Sequence, residues 1–311
     1  MMKQGIKYFI CCVFVLGNFL GYTQQTPHYT LHIFNNYMIN PGVTGSTECW
    51  EAKAGYRTQW MGFESAPVTM FISAHGRLNR NKSSSKASFE GLGAYIIKDQ
   101  TGPMSKLGGH ISYAFHFAVS RKVTTSLGLS FGAMQYIVDA GDLKPLNPID
   151  PAVSNSSSIL PDANVGIWTY SDDFFIGLAA RQLLPLTISG TEIRMMDHLY
   201  FTAGYRFLIN RTVSIIPSAH VRMGLITPPQ IDATIRADWG NKFWIGMAYR
   251  KIDALAGLVG FNISPLFKLG YAYDYTLSKI RNYSSNTHEI ILGFQPNCNG
   301  GSNRKICPAY M

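Results

Sequence analysis

The amino-acid sequence predicts an all-β protein, a transmembrane antiparallel β-barrel of about 14 strands of the type found in bacterial outer membranes. Only 14% of the 311 residues are charged, against roughly 25% in an average soluble domain. After the first 25 residues, no apolar run approaches the ~20 residues that a membrane-spanning helix needs. Apolar and polar residues instead alternate with a period of two, which separates the two faces of a β-strand. These observations exclude a polytopic helical membrane protein and argue against an ordinary cytosolic enzyme.

Residues 1–23 are expected to be a signal peptide. The apolar core Phe9–Leu20 follows two lysines, and small residues precede Gln24. A membrane anchor helix is the alternative, but the apolar stretch is short and is interrupted by Asn18. Removal of the two lysines leaves 25 of the 27 basic residues against 18 acidic residues, a net charge of +7. The predicted location is therefore the cell outer membrane, reached by export.

Strand alternation recurs in fourteen segments of the chain. The clearest, Met104–Val119, places Leu107, Ile111 and other apolar residues on one face, and Lys106, His110 and other polar residues on the other. The fourteen predicted strands are, in order, Glu51–Gln59, Pro67–Gly76, Phe89–Lys98, Met104–Val119, Val123–Val138, Asp162–Tyr170, Phe174–Gln182, His198–Ile209, Thr212–Gly224, Gln230–Trp239, Lys242–Arg250, Ala254–Ile263, Phe267–Leu277 and Thr287–Gln295.

The connections between these strands differ in length. Those after the fourth, sixth, eighth, tenth and twelfth strands are tight, whereas Asp139–Pro161 and Leu183–Asp197 are long. An even number of strands with short turns at one rim and longer loops at the other is typical of outer-membrane barrels, whose short turns lie in the periplasm. The connection Arg77–Ser88 is longer and basic, and it departs from this pattern.

A soluble β-sandwich is the alternative fold, because its strands also alternate. A sandwich would cover its outer face with charged residues to stay soluble. Here the polar face is instead rich in Gly, Ser, Thr and Ala, and the apolar face is largely aliphatic or aromatic. That combination favours a barrel with lipid outside and a polar lumen inside.

Four parts are therefore expected: the signal peptide, an N-terminal extension at 24–50 that is lumenal or periplasmic, the barrel at 51–296, and a cysteine-containing tail at 297–311. Export into an oxidising compartment permits a disulfide between Cys298 and Cys307, which would leave Cys49 unpaired. No cysteine or histidine spacing is that of a metal site, and no cofactor is expected.

The polar strand faces predict a basic lumen. One interpretation is attraction of an anionic ligand or chain segment; the other, which we favour, is pairing of these side chains with acids or with a segment that fills the barrel. The predicted lumenal residues are Lys53, Arg57, Lys106, His110, His116, Arg206, His220, Arg222 and Lys268, together with Asp274 and Glu289.

Catalytic motifs have little support in the sequence. The run Gly128–Gly132 matches the Gly-x-Ser-x-Gly pattern of a hydrolase nucleophile elbow, with Ser130 at its centre. It lies inside a predicted strand with no helix after it, whereas the elbow is a strand-to-helix turn. We interpret it as small residues on a lumenal face and expect no enzyme. The basic residues are dispersed and form no nucleic-acid-binding motif.

The first connection carries a candidate partner-binding loop. Trp60, Met61, Gly62 and Phe63 lie between the first two predicted strands, at the rim of the longer loops. An aromatic residue and a glycine in an outward loop suit a protein contact. The alternative is that Trp60 is an interfacial anchor and Gly62 a turn residue.

Several segments resemble the PorP/SprF family of type IX secretion outer-membrane proteins from Bacteroidetes. The matching segments are Asn40–Gly45, Tyr56–Pro67, Ser73–Gly76, Gly270–Tyr275 and Thr287–Gly293, which span nearly the whole mature chain. The Tyr-Arg-x-Gln-Trp-x-Gly-Phe run is the most specific of them. The chain departs from the family where Asn-Pro-Ala becomes Asn-Pro-Gly at Gly42, and where it continues beyond the last strand.

This resemblance implies a non-enzymatic barrel that assists export or surface attachment of proteins with a C-terminal sorting domain. The implied partners are those exported proteins, a periplasmic peptidoglycan-binding lipoprotein and outer-membrane lipid. A role in secretion also predicts a lumen blocked by Asp139–Pro161 or by Gln24–Glu48. The alternative function is a channel or transporter for a small anionic or hydrophobic solute.

Overall fold

The computed structural model shows a closed antiparallel barrel of fourteen strands. Each strand pairs with its sequence neighbours, and the first strand pairs with the last, so that the sheet has no free edge along its seam. The structure describes residues 29–47, 49–78, 88–139, 141, 155–184, 198–224, 228–240 and 242–296. The predicted signal peptide and the tail with Cys298 and Cys307 lie outside the described residues.

The strands are β1 (Glu51–Thr58), β2 (Val68–Arg77), β3 (Ser88–Thr101), β4 (Met104–Ala118), β5 (Thr124–Val138), β6 (Ser156–Tyr170), β7 (Phe174–Arg181), β8 (His198–Tyr205, continued by Phe207–Leu208), β9 (Val213–Gly224), β10 (Gln230–Trp239), β11 (Phe243–Arg250), β12 (Ala254–Asn262), β13 (Phe267–Thr276) and β14 (Thr287–Phe294). The predicted barrel and its strand number are confirmed. Within the described ranges, three 3₁₀ helices accompany them, namely η1 (His32–Met38), η2 (Pro41–Val43) and η3 (Lys279–Tyr283).

Two predicted strands differ most from the structure. The loop predicted to run to Pro161 ends earlier, because β6 begins at Ser156 and pairs with Met134–Val138 at the end of β5. The first residues of β6 are serines, so this segment has no alternation of apolar and polar residues that would predict a strand. Its strand conformation is instead defined by its pairing with β5. The eighth predicted strand is also interrupted at Arg206, whose backbone N–H donates to the carbonyl of Asp173 in a neighbouring turn.

The two rims differ as expected from the connections. Tight turns at 119–123, 171–173, 209–212 and 263–266 lie at one end of the barrel, which we call the short-turn rim. The opposite end, the long-loop rim, carries the described loops 59–67 and 277–286. It also carries two tight turns, at Gly102–Pro103 and Lys251–Asp253.

Exposure alternates along the strands as a membrane barrel requires. On β4 and β5 the side chains of Ile111 and Phe131 are 65% and 63% exposed, whereas His116 and Ser126 are fully buried inside the barrel. The outward face is thus apolar, and the inward face is small or polar. Among the described residues, no helix is long and apolar enough to cross a membrane.

Residues 29–47 lie inside the barrel, and we call this segment the plug. It contains η1 and η2, and nearly all of its residues are buried. The chain leaves the plug at Cys49, which is buried and disulfide-bonded. The expectation that Cys49 is unpaired was therefore wrong.

Candidate functional site

The plug runs from one end of the lumen to the other. It begins in the long-loop half, where Tyr29 packs edge-on against Phe71 with ring centroids 5.5 Å apart. It ends at the short-turn rim, where Cys49 precedes β1. Its contacts reach strands on all sides of the barrel, so the plug fills the lumen.

A cluster of charged side chains holds the first turn of the plug near the long-loop rim. Thr30 Oγ1 donates to Asp274 Oδ2 at 2.6 Å and accepts from Arg57 Nη1 at 2.8 Å and from Arg250 Nη2 at 3.1 Å. The Thr30 backbone N–H donates to Glu289 Oε2 at 2.7 Å. A hydroxyl has one hydrogen and two lone pairs, so the Thr30 hydroxyl makes as many hydrogen bonds as it can. We call these residues and Asp232 the Thr30 cluster.

The charges of the Thr30 cluster are paired with one another. Arg57 lies 3.0 Å from Asp274 and 2.8 Å from Glu289, and both pairs are almost completely buried. Arg250 lies 3.2 Å from Asp232 and 3.4 Å from Asp274. Removing one member of a buried pair leaves an uncompensated charge, at a cost of about 3–5 kcal/mol. The ion pairs therefore fix the wall groups in the positions from which they bond Thr30 of the plug.

His32 follows the Thr30 cluster and is buried against the wall. Its ring stacks on that of His220 in β9, with centroids 4.8 Å apart. The Oγ1 atom of Thr202 lies 2.8 Å from Nδ1 of His220. Burial lowers the pKa of His32 below its ordinary value, an effect that the nearby Asp232 carboxylate opposes. The neutral ring is therefore the form that the plug accommodates.

The Asn40-Pro41-Gly42 run anchors the middle of the plug to β5, β6 and β7. Asn40 Nδ2 donates to the carbonyls of Ile167 and Leu178, at 3.0 and 3.1 Å, and so bridges two adjacent strands. Its Oδ1 accepts the N–H of Gly42 at 2.8 Å, which caps η2. The Gly42 carbonyl accepts from Ser126 at 2.6 Å. These hydrogen bonds hold the Asn40-Pro41-Gly42 run against the barrel wall.

The Gly-x-Ser-x-Gly run lies on the inward face of β5, directly against the plug. A Cβ atom on Gly128 would lie 2.3 Å from the backbone of Pro41 and Gly42, so only glycine lets the two chains approach this closely. Ser130 is buried opposite Asn164 in β6. The run lies in an extended strand, and its glycines serve packing against the plug and the His110 ring.

The last part of the plug packs on β2, β3 and β4. The N–H of Gly45 donates to His75 Nδ1 at 3.2 Å, and His116 Nε2 lies 2.7 Å from the Thr44 carbonyl. Gly45 has a positive φ of 74°, and a Cβ on Gly91 would lie 2.1 Å from the Thr44 carbonyl oxygen. Backbone therefore packs directly on backbone at this point.

A cavity of about 40 Å³ remains between the plug and the wall near the short-turn rim. Lys53 lies 3.1 Å from Glu51, and Lys268 lies 3.9 Å from the same carboxylate. Lys53 also donates to the carbonyl of Phe34 in the plug at 2.5 Å. The charges that line this cavity are thus also paired.

The cations of the predicted basic lumen share the inward faces with acids, in line with the favoured interpretation that they are paired. Arg181, Arg236 and Arg250 are further cations on these faces, and several carboxylates lie beside them. The acids that the prediction omitted are Glu51, Asp99, Asp162, Asp232 and Asp238. They were missed because inward faces were assigned on only some strands. The lumen is a network of paired charges around the plug.

The remaining predicted lumenal residues are placed as follows. His110 is buried, 2.8 Å from Asp162 and stacked on Tyr95. Lys106 Nζ lies 5.9 Å from the centre of the Tyr136 ring. Arg222 donates to Gln230 in the next strand. Arg206 lies at the short-turn rim, where Nη1 is 3.5 Å from the carbonyl of Asp172.

The predicted partner-binding loop is held to the last loop of the barrel. The N–H of Met61 donates to the carbonyl of Asn286 at 2.8 Å, and the N–H of Ser285 donates back to Met61. Trp60 and Gly62 have positive φ angles of 54° and 91°. Met61 and Phe63 are 42% and 46% exposed at the long-loop rim. The two loops thus present an ordered apolar surface.

Sequence reasoning missed the residues by which the plug is anchored. Thr30, Asn40 and Tyr37 each bond to the wall, and Tyr37 donates to Ser112 at 3.2 Å. The only signal for any of them was the Asn-Pro-Gly run of the family resemblance. Within the ranges that the structure describes, no three His, Cys, Asp or Glu side chains gather as a metal site would require.

Comparison with known proteins supports one family. The family model described as "Type IX secretion system membrane protein PorP/SprF" matches residues 22–294. No curated protein matches the chain.

Solved structures match the barrel at low sequence identity. The CymD monoaromatic hydrocarbon channel has a TM-score of 0.51 at 11% identity, over 88% of this chain and 94% of that one. The toluene transporter TodX of P. putida has a TM-score of 0.48 at 9% identity, over 83% and 92% of the two chains. A FadL homologue of Pseudomonas aeruginosa has a TM-score of 0.47 at 10% identity, over 87% and 94%. The likeness to CymD shows the fold alone.

Proposed function

Because the chain belongs to the PorP/SprF family of type IX secretion system membrane proteins, we propose that it is a non-enzymatic outer-membrane component that assists export or surface attachment of other proteins. The proteins that it serves carry a C-terminal sorting domain, as the family resemblance implies. The short-turn rim faces the periplasm, which is the usual orientation of outer-membrane barrels.

The observation that carries this proposal is the filled lumen. The plug contacts β1 through Lys53 and Arg57, β7 through Arg181, and β14 through Glu289. A folded or extended polypeptide does not pass through a lumen that is occupied in this way. The protein therefore acts by holding a partner at its rim, and the translocation pore belongs to another component.

The partner surface that we propose for the exported protein is the loop of Trp60, Met61, Gly62 and Phe63. Its two exposed apolar side chains lie on the rim that faces away from the cell. Exposed apolar side chains fixed in a hydrogen-bonded loop suit protein recognition, because little entropy is lost when a partner covers them. A peptidoglycan-binding lipoprotein would contact the opposite, short-turn rim.

A channel for small anionic solutes is less well supported. That function required a basic and open lumen, whereas the lumenal cations pair with carboxylates, as Arg57 does with Asp274 and Glu289. Paired charges in a filled barrel offer no continuous attraction for an anion.

Co-purification from native outer membranes tests the proposal. We expect the tagged chain, extracted in mild detergent, to retain proteins with a C-terminal sorting domain and a peptidoglycan-binding lipoprotein, identified by mass spectrometry. An unrelated outer-membrane barrel with the same tag is the control. A chain that is recovered alone and that conducts ions steadily in a planar bilayer would contradict the proposal and favour the channel.

A further inference from the structure

A groove crosses the outward face of β11, β12 and β13 just below the long-loop rim. Its floor is Gly257, where a Cβ atom would have nothing within 4 Å. Met247 of β11 and Tyr273 of β13 lie level with Gly257 on either side, and both side chains are exposed. One outward row nearer the rim, Tyr249 and Tyr275 are exposed as well. This groove, which we call the Gly257 groove, therefore has apolar and aromatic walls and no side chain on its floor.

Hydrogen bonds hold the tyrosines of one wall in place. Asn286 Nδ2 donates to the Tyr273 hydroxyl at 2.7 Å. Arg281 Nη1 donates to the Tyr275 hydroxyl at 3.1 Å. Aromatic residues form girdles at both interfaces of outer-membrane barrels, which accounts for the depth of these tyrosines but not for the open floor between the walls. Walls that are already ordered lose little entropy when a ligand fills the groove.

Two cations lie at the rim end of the Gly257 groove. Arg281 of η3 is exposed, and its guanidinium carbon lies 5.7 Å from the centre of the Tyr275 ring. Lys251 comes two residues after the outward Tyr249 and is exposed in the turn that follows β11. Each wall of the groove therefore ends in a basic side chain.

These cations are held near each other and are not neutralised within their own connections. The N–H of Leu277 donates to the carbonyl of Asp253 at 2.8 Å, which joins the two connections that carry Lys251 and Arg281. Asp253 is the one acidic residue in these connections, and its carboxylate pairs with the inward Arg250 at 3.2 Å. Two strand spacings of about 5 Å separate β11 from β13. Basic side chains at this separation suit phosphate groups, which guanidinium and ammonium groups bind well.

The long-loop rim faces away from the cell in the orientation given above, so the Gly257 groove opens toward the outer leaflet. We propose that it binds a phosphorylated lipid of that leaflet. One acyl chain lies over Gly257, between Met247 and Tyr273. The phosphates of the headgroup bind Arg281 and Lys251. This site goes beyond the proposed role in export and depends only on the orientation of the barrel.

Lipid binding tests the site, with bisphosphorylated lipid A as the probe. The protein is purified in mild detergent and titrated with lipid A, and the complexes are counted by native mass spectrometry. We expect one tightly bound lipid A, and weaker binding of phosphatidylglycerol and of lipid A without its phosphates. Equal binding of either of these lipids would overturn the proposal.

The two cations are tested by substitution. Arg281→Gln combined with Lys251→Gln should weaken binding of lipid A about thirtyfold, since each base near an anionic lipid surface contributes roughly fivefold. Lys98→Gln is the control, because it removes an exposed cation from the outward face of β3, and it should leave binding unchanged. Unchanged binding in the double variant would overturn the proposal.

A matched pair of glycine variants locates the acyl chain. Gly257→Phe fills the groove and should abolish retention of lipid A. Gly109→Phe is the control, because Gly109 is an outward glycine of β4 with equally open space, and its neighbours in the ladder are Ile96 and Ala133. Equal loss in both variants, or full retention in Gly257→Phe, would contradict the site. If Gly257→Phe does not fold, the cation variants still decide the question. Co-purification of exported proteins is measured separately, so the two proposals can fail independently.

Discussion

The backbone N–H of Thr30 donates to Glu289 Oε2 at 2.7 Å, although the two residues lie 259 positions apart. Thr30 lies at the start of the described part of the plug, and Glu289 lies in β14, the last strand along the chain. The site that receives the start of the plug therefore exists only when β14 is in place beside β1 and β13. Docking of the plug and closure of the barrel are coupled by this contact.

The first prediction concerns the Thr30 hydroxyl. Thr30→Val keeps the shape of the side chain and the bond from its N–H to Glu289, but it removes three hydrogen bonds to charged groups. Loss of bonds to buried charged partners costs about 1–3 kcal/mol. We expect the variant to lose its folded band on gels at a lower temperature than the unsubstituted protein, and to open transiently in planar bilayers. Thr58→Val, at the end of β1, is the control and should do neither.

The second prediction uses two glycines of neighbouring strands. A methyl group on Gly128 would lie 2.3 Å from the plug backbone, whereas one on Gly109 would have nothing within 4 Å. Gly128→Ala should therefore lower the unfolding temperature or reduce the amount of folded barrel, since overpacking costs about 1–3 kcal/mol. Gly109→Ala should leave both unchanged. Equal behaviour of the two variants would mean that the plug does not press on β5.

The sequence predicted the barrel well because strand alternation is a local pattern. On β4, for example, the polar residues Lys106 and His110 were assigned to one face, and the structure places both on the inward face. The contacts of the plug were not predictable in the same way. Thr30 has no periodic neighbours, and its partners lie more than 200 positions away except for Arg57, at 27. Only the closed barrel brings them together.

Several acidic partners of the lumenal cations were missed for a related reason. Asp232 and Arg250 lie directly opposite each other in β10 and β11, and their ion pair follows from the register and not from spacing along the chain. Inspection of every strand for its inward face would have found Asp232, because it alternates with the exposed Ile231 and Ala233. The plug segment itself has no strand or helix periodicity. Its position in the lumen could therefore be predicted only as one of two alternatives, the other being the loop Asp139–Pro161.

The third prediction concerns pH and follows from the lowered pKa of His32. In the unfolded chain this histidine takes up a proton when the pH falls below its ordinary pKa of about 6.5. In the folded protein the buried ring stays neutral beside His220, Asp232 and Arg250. The unfolded state then binds more protons, so stability is fully present above about pH 6.5 and falls as the pH decreases. We expect the unfolding temperature to drop between about pH 7.5 and 5.5, and to drop less in His32→Phe.

The control for this effect is His288→Phe. His288 lies on the outward face of β14, where it is bonded to Tyr271 at 2.7 Å. This variant should show the same drop as the unsubstituted protein. If His32→Phe also showed the full drop, titration of His32 would not be what weakens the plug in acid.

The fourth prediction tests the proposed partner surface at the long-loop rim. Phe63 is 46% exposed in a loop whose backbone is fixed by bonds between Met61 and the Ser285–Asn286 segment. Because these bonds use main-chain atoms, Phe63→Ser should leave the loop and the barrel intact while removing apolar contact area. We expect recovery of the exported protein in co-purification to fall about tenfold, which corresponds to a loss of about 1.4 kcal/mol of binding free energy.

The matched control is Ile252→Ser. Ile252 is 76% exposed in the Lys251–Asp253 turn of the same rim, and it belongs to a different connection. If general apolar stickiness of the rim held the partner, both substitutions would reduce recovery to a similar extent. A selective loss with Phe63→Ser, with unchanged folding temperatures for both variants, would place recognition in the loop of Trp60–Phe63. An unchanged recovery with Phe63→Ser would remove that loop from the partner surface and leave the rest of the long-loop rim to be searched.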